Sequence, residues 1–177
     1  MRIISGKNKG RIIQPPKNFK SRPTTDFAKE SLFNLINNEY YIEDLDVLDL
    51  FAGTGSISLE FASRGAGSVT AVEKIFSYAN HIKKLSEKLK LTIKVINDDF
   101  YKFVNYHKIQ YDLIFADPPY NLEERKNIPY LIFEKNLLKK NGTLIVEHSS
   151  DDDYRTFPYY EKTRTYGKVN FTFFYYV

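Results

Sequence analysis

Apolar residues recur along this chain in two rhythms. From residue 45 onward, short consecutive apolar runs alternate with stretches in which apolar positions return every three or four residues, the signatures of buried strands and of helices with one buried face. The runs predict strands over residues 45–51, 68–72, 92–96, 111–116 and 143–147. The intervening periodicity predicts helices over 57–64, 77–89, 101–106 and 128–138, the second with Ile82, Leu85 and Leu89 on one face. Serial β-α-β alternation implies an α/β fold with a largely parallel, twisted sheet covered on both faces.

The two ends depart from this rhythm. Ile3, Ile4, Ile12 and Ile13 flank the polar run from Ser5 to Arg11, which contains Gly6 and Gly10; paired apolar stretches around such a turn predict a short hairpin. Pro15-Pro16 and Arg22-Pro23 interrupt regular structure. Thr24-Thr25-Asp26 then offers N-cap residues to a helix over 26–38 carrying Ala28, Leu32, Leu35 and Ile36. At the other end, residues 154–160 are aromatic but broken by Pro158, and residues 168–177 follow Gly167 as a β-rich run. These predict two further strands, a hairpin that adds an antiparallel strand to the sheet. No repeat or linker divides the 177 residues, so one domain is expected, with 1–25 as an extension and 26–177 as the core.

Charge changes the picture of the extension. Seven basic residues and no acid precede Asp26, leaving 19 basic against 22 acidic residues in the remainder. The net charge of +4 is therefore a property of the N-terminal arm, whose Lys7, Lys9 and Arg11 suit a phosphate backbone. The absence of cysteine excludes disulfides and cysteine-ligated metals. His81, His107 and His148 lack ligand spacing, so no metal is expected. With no apolar run of membrane-spanning length and no signal segment, the expectation is a soluble, cytoplasmic protein.

Candidate chemistry collects at the ends of strands. The first predicted strand opens into Asp49-Leu50-Phe51-Ala52-Gly53-Thr54-Gly55, a glycine turn that lets backbone approach a ligand at a helix N-terminus. A dinucleotide site would want glycine or alanine where Ser58 stands and would not place Asp49 at the lip, where a carboxylate repels pyrophosphate but pairs with an ammonium. Glu73 ends the second strand about 20 residues on and can accept both hydroxyls of a ribose. Asn97-Asp98-Asp99-Phe100 ends the third, where an acid can accept an adenine amine and Phe100 can flank the ring; alternatively the acids cap the next helix. The fourth strand runs into Asp117-Pro118-Pro119-Tyr120. The prolines stop the strand and hold Asp117 at the lip, beside free carbonyls and a flat ring.

Three strand-ending acids, a glycine turn and this corner form the constellation of an S-adenosylmethionine-dependent methyltransferase acting on an exocyclic amine. The chain resembles the Rossmann-like methyltransferases with an (Asp/Asn)-Pro-Pro-(Tyr/Phe) motif. Arg2-Ile3-Ile4-Ser5-Gly6, Gly10-Arg11, Arg22-Pro23-Thr24-Thr25-Asp26, Glu30-Ser31-Leu32-Phe33-Asn34, Asp49 to Gly55, Ala116 to Tyr120 and Ile145-Val146-Glu147 are more narrowly similar to the RsmD family. Those bacterial enzymes methylate N2 of a guanine in small-subunit (16S) ribosomal RNA. Ser5 and Lys29 depart from the family's usual glycine and arginine, in a region assigned to RNA or substrate approach.

The resemblance implies a seven-stranded sheet with its last strand antiparallel. It places the donor's methionine moiety at Asp49 and the Gly53 to Gly55 backbone, its ribose at Glu73, and its adenine at Asp99 with Phe100, and counts Phe51 among the donor-binding residues; Asp99 is chosen over Asp98 because Phe103 follows it by four. Asp117, Pro118, Pro119 and Tyr120 form the acceptor site, Arg22, Thr24 and Thr25 border it, and Lys7, Lys9 and Arg11 meet RNA phosphates. The implied partner is 16S RNA in a small-subunit particle or assembly intermediate, met by a monomer, with S-adenosylhomocysteine as product. Asp117 and the Pro118 carbonyl would accept the two amine N–H groups and aim the nitrogen lone pair, while Tyr120 stacks on the base. A DNA adenine-N6 methyltransferase and a catalytically silent RNA-binding assembly factor are the alternatives.

Overall fold

The structure is a computed structural model that describes residues 1–16, 19, 25–122 and 124–177. Its order is α1 (Asp26–Glu39), β1 (Asp46–Leu50), α2 (Ser56–Ser63), β2 (Ser68–Val72), α3 (Phe76–Leu89), β3 (Lys94–Ile96), α4 (Phe100–Tyr106), β4 (Tyr111–Ala116), α5 (Ile128–Glu134), β5 (Leu138–His148), β6 (Tyr160–Tyr166) and β7 (Val169–Tyr176). The seven strands lie in the order β3-β2-β1-β4-β5-β7-β6. The first five run parallel, and β7 is antiparallel to both β5 and β6, as expected for the sheet. Strand order reverses between β1 and β4, and the crevice beyond their carboxyl ends is where a sheet of this kind binds ligands.

Local signals explain most boundaries. Thr25 accepts a hydrogen bond from the Ala28 amide at 3.2 Å and so caps α1, whose Ala28, Leu32, Phe33 and Ile36 are buried. One face of the sheet packs against α1, α2 and the N-terminal hairpin, with Ile3 and Ile13 in that core; the other face packs against α4 and α5.

Three expectations are corrected. The helix expected over 128–138 ends at Glu134, because Asn136 takes a left-handed conformation (φ 52°) and Leu137 leaves the helical path. The strand expected to begin at residue 143 instead begins at Leu138, with an irregularity where Tyr111 pairs with Leu138 and Leu113 with Thr143. Lys139 anchors the added portion by donating to Asp46 at 2.7 Å and Asp112 at 2.8 Å, contacts that local periodicity does not encode. Residues 154–159 form turns rather than the start of a strand: Tyr154 is buried against His148, Phe157 and Phe174, and β6 begins at Tyr160.

The hairpin at the N-terminus is present, with Arg2 bridged to Ile12 and the Ile3 amide donating to the Arg11 carbonyl at 2.9 Å. A buried charge cluster fixes it to the core. Glu60 on α2 accepts from the amides of Ile4 at 2.8 Å and Ser5 at 2.9 Å and from Arg64 Nε at 2.9 Å. Lys29, 0% exposed, donates to the Arg2 carbonyl at 2.6 Å and pairs with Glu60 at 3.4 Å. Lys29 is thus a structural cation, and its ammonium is closed to RNA. Burial lowers its pKa and Glu60 resists that shift.

Candidate active site

Asp49, Glu73, Asp99 and Asp117 stand at or just beyond the carboxyl ends of β1, β2, β3 and β4 and meet along one lip of the sheet. Asp49 is buried, and its Oδ2 accepts from the Ser58 amide at 3.0 Å and, in a very short contact, from the Ser58 hydroxyl. Burial pushes its carboxyl up to about 7 against the two Ser58 bonds, with the negative charges of Asp117 and Glu73 adding to the rise. Asp117 keeps part of its surface accessible, yet desolvation pushes its carboxyl up to about 7 as well. The lip therefore holds two carboxyls of depressed acidity on neighbouring strands, an arrangement that favours a cation between or beside them.

Between Asp49 and α2 the backbone makes a left-handed passage, with φ 61° at Phe51, 55° at Gly53 and 79° at Gly55. A Cβ on Gly55 would lie 2.9 Å from Ile82 Cγ1, so glycine lets the turn sit directly on α3. The Gly53 amide donates to Glu73 Oε2 at 2.7 Å and the Ile75 amide to Glu73 Oε1 at 2.7 Å. Glu73 is thereby aimed across the turn, and each of its oxygens retains a lone pair. Burial raises its pKa while these amides oppose the shift.

At the third strand end both acids are engaged. Asp99 caps α4 by accepting from the Tyr101 amide at 3.0 Å and pairs with Lys74 at 3.0 Å. Burial acts against ionisation there, but Lys74 and the neighbouring amides outweigh it and lower the pKa. Asp98 accepts from the Asp99 amide and from the Tyr106 hydroxyl, both at 2.8 Å. Phe100 belongs to the core, and Phe51 lies against it at 5.0 Å between ring centres, leaving Phe51 the more accessible of the two.

Beyond β4, Pro118 is buried, Pro119 is exposed and the Tyr120 ring projects from the lip with the residue 65% exposed. Glu147 at the end of β5 is buried, and its charge, with that of Asp117, adds to the burial that raises the Tyr120 pKa.

The basic residues do not all gather here. Thr25 lies at the start of α1, where Asp26 bonds Arg2, whereas Arg22 and Thr24 lie outside the described residues. The hairpin tip docks at the far end of α2 and α3: the Lys7 amide donates to the Ser63 carbonyl at 2.8 Å, and Asn8 Nδ2 donates to the Leu89 carbonyl at 3.2 Å. Those helices start at the lip and run away from it, so at ~1.5 Å per residue Lys7 and Lys9 stand roughly 12 to 20 Å from it. Arg11, opposite Ile3, is exposed between the two ends.

Several contributors escape a linear reading. Ser58 holds Asp49, and its place nine residues after the acid was the available signal. Asn97 Nδ2 donates to the carbonyls of Glu73 at 2.8 Å and Lys74 at 2.9 Å, tying the second strand end to the third. The ring of Phe19 rests against Gly53 and 5.2 Å from the Tyr78 ring, beside the glycine turn. Among the described residues no group of three His, Cys, Asp or Glu is placed to hold a metal ion, and no helix is long and apolar enough to cross a membrane.

The chain is similar to known proteins in sequence and fold. The chain is 36% identical over 156 residues to ribosomal RNA small subunit methyltransferase D of Haemophilus influenzae, covering 85% of this chain and 80% of the relative. The solved structure of the Escherichia coli protein yhhF superposes with a TM-score of 0.88 at 26% identity, covering 99% of this chain and 97% of that one. The Thermus thermophilus 16S rRNA N2 G1207 methyltransferase RsmC, solved with AdoMet and guanosine, has the same fold over 89% of this chain and 45% of its own (TM-score 0.73, 19% identity). The family model described as Conserved hypothetical protein 95 matches residues 1–175, and the chain belongs to this family, the RsmD family indicated by its motifs.

Proposed function

We propose that this chain transfers a methyl group from S-adenosylmethionine to the exocyclic N2 amine of a guanine in small-subunit (16S) ribosomal RNA. The observation that carries the reading is the pair of desolvated carboxyls, Asp49 and Asp117, on adjacent strands at the switch point, with the Asp117-Pro118-Pro119-Tyr120 corner opening outward. The named activity of the Haemophilus relative and the AdoMet and guanosine bound to RsmC support it.

The donor half fits a charged nucleoside. Asp49 suits the ammonium of the methionine moiety, the two oxygens of Glu73 each have a lone pair for a ribose hydroxyl, and Asp99 faces the adenine amine with Phe51 and Phe100 as apolar flank. When bound, S-adenosylmethionine supplies an activated methyl group on a sulfonium, so alignment and electrostatics carry the rate. The lone pair of an aromatic amine is delocalised into its ring. The Asp117 carboxylate and the Pro118 carbonyl accept its two N–H groups, draw the nitrogen toward tetrahedral geometry and hold its lone pair on the methyl group. Tyr120 stacks on the base, and one proton leaves the nitrogen after transfer.

The whole chain acts as one methyltransferase domain with residues 1–25 as an RNA-contacting extension. Thr25 borders the base, and Lys7, Lys9 and Arg11 meet phosphates farther along the RNA. The substrate is RNA within a small-subunit particle or assembly intermediate, met by a monomer in the cytoplasm.

The test is tritiated methyl transfer to ribosomal RNA, to subunits from cells lacking the protein and to DNA, followed by nucleoside mass spectrometry. N2-methylguanine is the expected product. N6-methyladenine in DNA would move the chain to the adenine-N6 enzymes, and binding of RNA without transfer would make it a silent assembly factor.

A further inference from the structure

Five residues beyond the acceptor motif, Arg125 joins two segments that are far apart in the chain. Its Nη1 donates to the backbone carbonyl of Tyr120 at 2.8 Å. Its Nε and Nη2 donate to Asp152 Oδ2 at 2.8 Å and Oδ1 at 3.2 Å. Asp152 belongs to the segment between β5 and β6, and its side chain is 1% exposed. A carboxylate this buried needs charge-assisted partners, and Lys126 adds a second cation at 3.5 Å. Two turns tighten the same loop, the Leu122 amide donating to Pro119 at 2.9 Å and the Arg125 amide to Leu122 at 3.2 Å.

We propose that Arg125 is a positioning residue that, anchored on Asp152, holds the backbone of Tyr120 and thereby sets its exposed ring against the target base. The proposal rests on the methyltransferase reading for what Tyr120 does, but the clamp is made entirely of contacts within the chain. A salt bridge serving stability alone would need only the bidentate pair. Here the third bond goes to the main chain of the motif's own aromatic residue, and a planar five-donor guanidinium can serve a carboxylate fork and a carbonyl together, whereas a lysine ammonium cannot in this geometry. Tyr120 is 65% exposed, so the support the clamp gives it comes through the backbone. The segment after β5 thus contributes to the acceptor site without touching substrate.

The experiment places 3-fluorotyrosine at position 120 and compares the wild-type chain with Arg125→Lys and Asp152→Asn by fluorine NMR without ligand. Steady-state transfer to small-subunit RNA and calorimetric titration with S-adenosylmethionine accompany it. Expected in both variants are a narrowed and shifted fluorine line, donor affinity within about twofold of wild type, and kcat lower by roughly tenfold or more. An unchanged fluorine signal overturns the proposal, whether or not kcat falls. A changed signal with unchanged kcat on RNA that the wild type does methylate also overturns it. If the wild type itself methylates no RNA while the fluorine line responds, the clamp stands and the substrate reading fails. Arg125→Lys keeps the positive charge beside Asp152, and Asp152→Asn keeps hydrogen-bonding oxygen and shape, so a folding defect in one leaves the other to decide.

Discussion

The two halves of the lip are built on opposite principles. On the donor side, Asp49 and Glu73 are buried and locked by Ser58, Gly53 and Ile75 through contacts within four consecutive elements, β1 to α3. On the acceptor side, one desolvated carboxyl leads into a proline-stiffened loop with an exposed aromatic ring, tied down by a residue whose anchor lies after β5. A small charged ligand of fixed shape is best served by acids already oriented and dehydrated. A base on a large RNA needs a corner that is open to solvent yet rigid in its backbone. The difference teaches that donor binding and methyl transfer should be separable by mutation.

The hardest test of that separation is Asp117→Ala. Methyl transfer should fall by about 10³-fold, as expected on removing an acceptor that acts on the reacting group, while calorimetry finds donor affinity within a few-fold. Equal loss of donor binding would erase the division. The reciprocal change is Glu73→Ala, which removes the proposed ribose acceptor and leaves two backbone amides without their partner. Donor affinity should weaken by roughly 10- to 100-fold, the scale of hydrogen bonds to a charged group, with kcat at saturating donor little altered. A kcat defect of the same size would show that the halves are coupled.

A milder probe is pH, because both lip carboxyls are raised to about 7. In the folded state each holds a proton between its ordinary range near 4 and about 7 that the unfolded chain gives up. Their contribution to stability is present at low pH, declines as pH rises toward 7 and is then constant. For Asp49 the full effect is on the order of 4 kcal/mol. A cationic donor favours the Asp49 carboxylate, so its affinity should be at least about tenfold weaker at pH 5.5 than at pH 8, with proton release on binding below pH 7. Calorimetry in buffers of different ionisation enthalpy measures both, and a flat profile would mean that Asp49 is not desolvated as described.

The smallest effect is expected farthest from the lip. Replacing Lys7 and Lys9 with Gln should reduce the slope of log RNA affinity against log salt by about 1.5, given 0.7 to 0.9 per neutralised phosphate. The rate at saturating RNA should be unchanged. A loss of kcat instead would bring the hairpin tip into the catalytic corner, contrary to its docking on Ser63 and Leu89.

Much of this organisation was legible along the chain. Each strand-ending acid could be read because a strand's end is written locally, in an apolar run followed by Gly, Pro or a capping residue. Asp117-Pro118-Pro119 is the clearest case, since proline geometry is covalent and holds whatever surrounds it. The antiparallel tail was legible too, from Gly167 and the β-rich run after it, although its first strand was placed six residues early. Pro158 and the left-handed Tyr159 delay the strand until Tyr160, and of the aromatic residues before it Tyr154 fills the core while Tyr159 stays exposed.

What the sequence by itself determined, then, is which residues end strands and which types of side chain stand there. Only the tertiary structure decided which of them face one another and with what charge state. Ser58 locks Asp49, Lys29 is consumed by Glu60 rather than offered to RNA, Lys139 extends β5, and the basic hairpin tip lies at the end of α2 and α3 remote from the lip. The physical reason is range. Backbone constraints act over a few residues and survive in any context, whereas desolvation, ion pairing and docking depend on groups brought together across tens of residues by the sheet. The acceptor corner shows both: its prolines are local, and the fork of Arg125 that steadies it has its anchor 27 positions away.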